Sequence, residues 1–422
     1  MRKNPPVGVN VREDDLSVVI PPLGNRSRFT REPTMSTIRL GIIGYGERSR
    51  HMSQLMISQD GDAVIAAIAD PRWAAIREEW IAAEREVGST RFYETADAML
   101  AQEELDGVVI GTRCSLHTTM ALKALARGLA VFLEKPVATN IRDLAALRAA
   151  ATPRMVVSFP LRVSYLANLA REIIDSGKIG TVEHVQAWNN VNYGDVYYQS
   201  WYRDENEANG LFLQKATHDF DYINSLLGDN QPRVITAMKS KQIFKGDHPA
   251  GLRCMDCSER TTCHESPYHP SRPGALPLKQ ASPSMCAYAV DTGNEDSGSA
   301  IIQYESGMHV NYSQNFFARN KAGKRGATLI GYKGTIEFDW YTDVLKVFLH
   351  HTGRTETHQF DSSGGHGGGD TKLVSNFLKV IRGEEESVAP IEAGLLSALM
   401  CLKAKESAET HTFQAIEFPR ES

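Results

Sequence analysis

A chain of 422 residues with 42% hydrophobic content is long enough for two domains, each with its own core. A net charge of −5, with no dense Lys/Arg block, excludes nucleic acid as an expected partner. No apolar run approaches the roughly 20 residues that cross a bilayer, so no membrane partner is expected either.

Residues 1–36 read as a leader. They hold Asn4-Pro5-Pro6, Pro21-Pro22 and many charges without a period, and Val18-Val19-Ile20 is too short for a signal-peptide core. Two readings stay open: a disordered leader, with Met35 as the true start, or an arm that clasps a neighbouring subunit. A cytoplasmic location follows from the missing secretion signal. The six cysteines (Cys114, Cys254, Cys257, Cys263, Cys286 and Cys401) are then not expected to form a disulfide framework.

Residues 37–155 alternate apolar runs with amphipathic stretches. Strands are expected at 38–43, 64–69, 107–111, 130–133 and 155–158, with helices between them, as at 118–127 and 141–150. Such alternation predicts a Rossmann-type, doubly wound parallel sheet. Residues 156–422 change pattern. A helix at 168–176 ends at Gly177, and strands follow at 182–188, 234–239, 299–304, 308–314, 327–330, 335–338 and 344–349. Strands without crossover helices predict a second α/β domain with a large, open, mostly antiparallel sheet. Residues 245–295, rich in Pro, Cys, Ser and Gly, read as an insertion loop. Helices at 371–381 and 392–406 close the chain.

The segment Gly44-Tyr45-Gly46-Glu47-Arg48-Ser49 follows a strand and opens a helix. Gly44 permits a tight turn, and Gly46 lets backbone approach a pyrophosphate. The helix N-terminus offers free N–H groups to phosphates, and Ser49 stands where a third glycine is usual. Asp70 ends the second strand, where a carboxylate accepts from an adenosine ribose and repels a 2′-phosphate. NAD is therefore expected, with Arg72 keeping NADP as the alternative; Asp70 also suits a helix N-cap before Pro71.

Glu134-Lys135-Pro136 ends another strand, on the side of an open sheet where ligands bind. Beside a positively charged nicotinamide, the Lys135 ammonium is disfavoured, which makes it a proton donor or acceptor; the same residues also read as a surface lysine before a helix-starting proline. These residues resemble the Gfo/Idh/MocA oxidoreductases: the glycine loop, Asp70, "RGLAVFLEKP" at 127–136 and "IIDSGKIGTVEHVQA" at 173–187. The resemblance implies a Rossmann domain, a second domain whose open sheet packs against another subunit, and Lys135 at the reaction centre. A homodimer or homotetramer is expected from it.

The family's second motif places an Asp four residues before a His; here Gln214 takes the Asp position and His218 matches the His. At helical spacing Lys215, His218, Asp219 and Tyr222 share one face, a set suited to proton transfer and hydroxyl recognition. Proton transfer then falls to Lys135, His218 or Lys215. Two lysines also suit an anionic sugar. Arg162 and His366 are further substrate candidates, the latter on a glycine run before Asp370, itself a candidate N-cap. Trp188, Tyr193, Tyr197, Tyr198, Trp201 and Tyr202 read equally as a sugar-stacking wall or as ordinary packing.

Cys254-x2-Cys257-x5-Cys263 with Cys286 reads either as a structural zinc site, with His264 or His269 able to replace a thiol, or as free thiols. The function expected is an NAD-dependent sugar or polyol dehydrogenase. The alternative is an NAD-dependent glycosidase that oxidises, eliminates and re-reduces; a non-catalytic regulator is disfavoured by the presence of both Lys135 and His218.

Overall fold

The computed structural model describes residues 37–83, 89–361 and 365–418. The expected leader lies outside the described residues. Six strands, β1 (Ile38–Ile43), β2 (Ala63–Ala69), β3 (Arg91–Tyr93), β4 (Gly107–Ile110), β5 (Ala130–Leu133) and β6 (Met155–Val157), form one parallel sheet in the order β3-β2-β1-β4-β5-β6. β4 and β5 are buried at every position, which is why they read as unbroken apolar runs. The order reverses between β1 and β4. Their carboxyl ends therefore open a crevice at the switch point.

A second, nine-stranded sheet follows: β7 (Val182–Asn190), β8 (Pro232–Ser240), β9 (Ser297–Tyr304), β10 (His309–Asn315), β11 (Lys324–Gly331), β12 (Gly334–Asp339), β13 (Val344–Leu349), β14 (Arg354–Gln359) and β15 (Gln414–Ala415). Its order is β14-β13-β12-β11-β7-β10-β9-β8-β15, antiparallel throughout except where β7 and β10 run parallel. One face is buried and the other open: in β9, Ala300, Ile302 and Tyr304 point inward while Ser299, Ile301 and Gln303 do not. Helices Thr217–Leu227 and Ile391–Thr410 cover the buried face. The expected helix at 168–176 begins earlier, at Tyr165, because the Ser164 hydroxyl accepts from the Ala167 N–H and caps it.

Helix Gly369–Arg382 does not stay with the second sheet. It returns to the first, where Phe377 meets Phe132 edge-on at 5.5 Å. A Cβ on Gly107 would stand 2.9 Å from the Ile381 side chain, so that helix packs directly on β4. Gly394 in the last helix lies as closely against Val137 and Val157. One continuous core runs through both sheets as a result. The insertion, residues 241–296 between β8 and β9, holds one short turn of helix, Cys254–Asp256, and isolated bridges.

Candidate active site

The glycine loop sits at the switch point. Gly44 has φ +81°, and a Cβ there would come within 2.9 Å of the Gly111 carbonyl at the end of β4. Ser49 donates to the Gly44 carbonyl at 2.5 Å and lies so close to Gly111 that a Cβ there would meet it at 2.7 Å. The small residue in place of a third glycine is thus part of the turn. Gly46 begins helix Glu47–Gln59, and no side chain caps its N-terminus. Exposed Glu47 opens the first turn. Asp70, nearly buried, accepts from the Tyr45 N–H at 2.9 Å and from the Arg72 N–H at 2.8 Å, fastening the loop to the end of β2. It also takes the Arg72 guanidinium at 3.4 Å. An uncapped helix N-terminus above a backbone cradle suits a dinucleotide pyrophosphate.

Lys135 stands at the end of β5, and its Nζ donates to the Gln214 carbonyl at 3.0 Å. The first sheet and the motif of the second domain therefore touch at this residue. Burial pulls its pKa from 10.5 down to about 8; the Lys215 charge adds to this, while Cys114, Glu134 and Tyr193 act against it. Gln214 is buried, and its side-chain oxygen accepts from the Cys114 thiol at 3.4 Å. His117, also buried, steadies the neighbouring turn through the Pro136 carbonyl at 2.7 Å.

Residues Phe212–Ala216 form a π-helical turn ahead of helix Thr217–Leu227. The extra residue per turn rotates Lys215 away from the face assumed from 3.6-residue spacing. Asp219, in the regular helix beyond this turn, is fully buried and accepts from Asn189 (2.8 Å), Tyr312 (2.8 Å) and Arg325 (2.8 Å). Tyr222 is also fully buried, with its hydroxyl on the Gly326 carbonyl at 3.1 Å. Lys215 and His218 remain with Lys135. The Lys215 ammonium lies 4.6 Å from the centre of the Tyr193 ring and hydrogen-bonds its hydroxyl. Burial would raise the Tyr193 phenol, but the Lys215, Arg325 and Lys135 charges together hold it below its ordinary value.

His218 is buried, and its Nδ1 has no hydrogen-bond partner. Burial drives its pKa well down, and the charges of Lys135, Arg325, His366 and Lys215 push the same way. Both effects favour its neutral form. Its ring lies 5.8 Å from Phe159 and 6.5 Å from His366.

His366 is in a left-handed conformation, φ +52°, and its Nδ1 meets the Asp370 carboxylate at 3.0 Å. Asp370 is not the helix N-cap; Gly368 occupies that place. Its carboxylate instead grips Arg48 at 2.6 and 2.9 Å, and Arg48 reaches Glu134 at 3.1 Å. His366, Asp370, Arg48 and Glu134 thus form one chain of contacts along the crevice. Arg162 turns to Asp221 at 3.0 Å, and burial pushes that carboxyl up to about 7 against the pull of Arg162. In the aromatic stretch, Trp201 stacks on Tyr202 at 3.8 Å beneath the Arg113 guanidinium, while Tyr197 and Tyr198 are buried. Tyr193 stands beside Lys215 with part of its side chain at the surface. The sequence offered no sign of the Arg325–Asp219 and Arg162–Asp221 pairings.

All six cysteines are free thiols, and Cys254, Cys257, Cys263 and Cys286 line one cavity with His248. His264 and His269 lie against each other at 4.5 Å and do not line it. Among the described residues, no three His, Cys, Asp or Glu side chains already stand in a metal-holding arrangement.

A parallel sheet with a phosphate cradle at its switch point, facing a second sheet across a lysine and a neutral histidine, defines a dinucleotide-dependent oxidoreductase. Residues 38–160 match the NAD-binding Rossmann fold of an oxidoreductase family, and residues 171–416 match that family's C-terminal α/β domain. The chain belongs to this family, Gfo/Idh/MocA, and is an NAD-dependent oxidoreductase of that type. It is 27% identical over 320 residues to the YteT protein of Bacillus subtilis (strain 168), covering 67% of this chain and 74% of that one. It is 30% identical over 219 residues to an inositol 2-dehydrogenase of Rhizobium meliloti (strain 1021), covering 51% of this chain and 62% of that enzyme. A levoglucosan dehydrogenase, solved with NADH and levoglucosan, shares the fold with a TM-score of 0.71 at 18% identity, over 90% of this chain and 99% of that one. Among the described residues, no helix is long and apolar enough to cross a membrane.

Proposed function

We propose that this protein oxidises a carbinol of a sugar or polyol, with residues 37–155 holding NAD and residues 156–422 the substrate. NAD bound on Gly44, Gly46, Glu47, Arg48, Ser49 and Asp70 supplies the hydride acceptor. One observation carries the reading: an amine brought down to about 8 stands at the end of β5, beside a buried imidazole with a vacant ring nitrogen. Lys135, as neutral amine, takes the hydroxyl proton, and His218 orients that hydroxyl. Lys215 and Tyr193 bind a neighbouring hydroxyl or an anionic substituent. A relative named inositol 2-dehydrogenase supports a cyclic polyol or sugar as substrate class.

A second reading draws on Gln214 at the usual Asp position and on the acidified Tyr193 phenol. An NAD-dependent glycosidase needs an acid–base group besides Lys135 for elimination, and Tyr193 meets that need. One assay separates the two: incubate the protein with panels of free polyols and of glycosides, following NADH absorbance and aglycone release together. NADH formation without aglycone supports the dehydrogenase; aglycone release with no net NADH overturns it.

The reading extends to a cytoplasmic homodimer or homotetramer joined through the open sheet face, where Met238, Ile301 and Phe348 are exposed. A structural zinc in the cysteine loop also belongs to it, on the strength of other residues altogether.

A further inference from the structure

The insertion 241–296 poses a stability problem. It has almost no regular structure, and it gives Phe244, Ala287 and partly buried Tyr288 to the small core it shares with Val191, Tyr197, Tyr198, Leu211 and Phe316. Yet its far end positions the reaction centre. The buried Glu295 carboxylate accepts from the N–H groups of Leu211 and Phe212 at 2.9 and 3.0 Å, where the π-turn carrying Gln214 and Lys215 begins. Asn294 holds the Tyr197 and Tyr202 carbonyls at 2.9 and 2.8 Å. A loop with so little core needs another fastening if it is to hold these contacts.

The four thiols converge although up to 32 positions separate them, Cys254 at one end and Cys286 at the other. At Cys257 the backbone offers a donor to the sulfur, while the Cys254 thiol donates to the Met285 carbonyl at 3.3 Å. The Glu259 N–H donates to Cys257 Sγ at 3.4 Å, two residues on. A thiol is a weak acceptor, so such an amide suits sulfur that carries negative charge. Cys254 takes the Gln199 amide at 3.8 Å, from the aromatic stretch beside the site. His248 Nδ1 stands 3.6 Å from Cys286 Sγ, as a hydrogen-bonding neighbour.

We infer that Cys254, Cys257, Cys263 and Cys286 bind one zinc ion as a tetrathiolate, and that this ion fixes the loop that anchors the substrate half of the active site. Four soft, closed-shell ligands without an open position suit a structural zinc rather than a catalytic one. The four sulfurs do not stand in a metal-holding arrangement, so coordination at roughly 2.3 Å requires them to draw together within the cavity they line. The ion neutralises charge that four thiolates cannot otherwise hold together. It also binds loop segments whose closure is entropically costly.

The test uses tag-free, full-length protein purified under reductant without added metal. Elemental analysis is expected to give one zinc per chain, released when a mercurial blocks the thiols. Cys257→Ser combined with Cys286→Ser is expected to lose the zinc and raise the substrate KM at least tenfold, while NAD affinity stays within about twofold, because the cradle lies on the other sheet. If that variant does not fold, cobalt replaces zinc in the wild type, and the intense visible absorption of a tetrahedral cobalt thiolate is the expected result. Zinc near zero in fresh reduced protein, iron in its place, zinc kept by the double variant, or a cobalt spectrum without thiolate character each overturns the assignment.

Discussion

Lys135→Met removes the amine and keeps most of the side chain's length. With a pKa of about 8, the amine is neutral in about a tenth of molecules at pH 7. At the ordinary 10.5 the fraction would be roughly 0.03%, so burial supplies about 300-fold more base. Loss of a general base costs ~10²–10⁴-fold in turnover, and that is the fall expected in kcat at saturating NAD. The bond to the Gln214 carbonyl is also lost, at ~1 kcal/mol, so a thermal melt should move only slightly. Lys135→Arg should not rescue, because a guanidinium stays protonated. The pH dependence has a definite sign. Oxidation needs the neutral amine, so kcat/KM for the wild type should rise about tenfold per unit below pH 8 and level off above it. The assay is stopped-flow NADH formation on the true substrate between pH 6 and 10, ranges set by that titration. Near-normal turnover of Lys135→Met, with the pH rise intact, refutes the assignment and shifts the proton path to His218 and Lys215.

His218→Ala should lower turnover and raise KM together, and its effect should not add to that of Lys135→Met if both serve one proton path; a double-mutant cycle measures this, and full additivity counts against a shared path. Asp70→Ala removes the acceptor of the Tyr45 and Arg72 N–H bonds along with the ribose contact, so NAD affinity should fall by ~10-fold or more and preference over NADP should relax. Calorimetric titration of both cofactors reads this, and tighter wild-type binding of NADP would assign the 2′ position to Arg72 instead. Arg325→Met strands the Asp219 carboxylate in a fully buried site and should cost roughly 3–5 kcal/mol by urea unfolding; a loss under ~1 kcal/mol would mean that Tyr312 and Asn189 suffice to hold it.

Elements buried on both faces were legible in the sequence. β1, β4 and β5 announce themselves as apolar runs, and the open sheet's strands as alternation. β3, β14 and β15 were not. Arg91-Phe92-Tyr93 is only three residues long, Arg354–Gln359 lies on an edge with hardly a buried side chain, and β15 has two residues. Edge strands gain little from burial and so carry little pattern. In the site, the loop at Gly44 was readable because turn chemistry is local, whereas Lys135 was singled out through the family resemblance. The burial of Asp219 and Tyr222 was not readable because the groups that hold them, Asn189, Tyr312, Arg325 and the Gly326 carbonyl, come from strands far along the chain. Arg325 stood in "KAGKRGATLIG", which reads as a loop running into a strand, and nothing local pairs it with a carboxylate on a distant helix. The Arg48–Asp370 pair, 322 positions apart, is invisible for the same reason.

The return of helix Gly369–Arg382 to the first sheet bears on how the protein is made. Synthesis runs from the N-terminus, so the cofactor half leaves the ribosome first. It cannot finish there. Phe132 waits for Phe377, the groove at Gly107 for Ile381, and Arg48 for Asp370. Throughout translation of the second sheet, the nascent first sheet presents a bare apolar face, the kind of surface that holdase chaperones bind. A premature stop ahead of residue 369 would therefore release a sticky, incomplete polypeptide rather than a smaller nucleotide-binding protein.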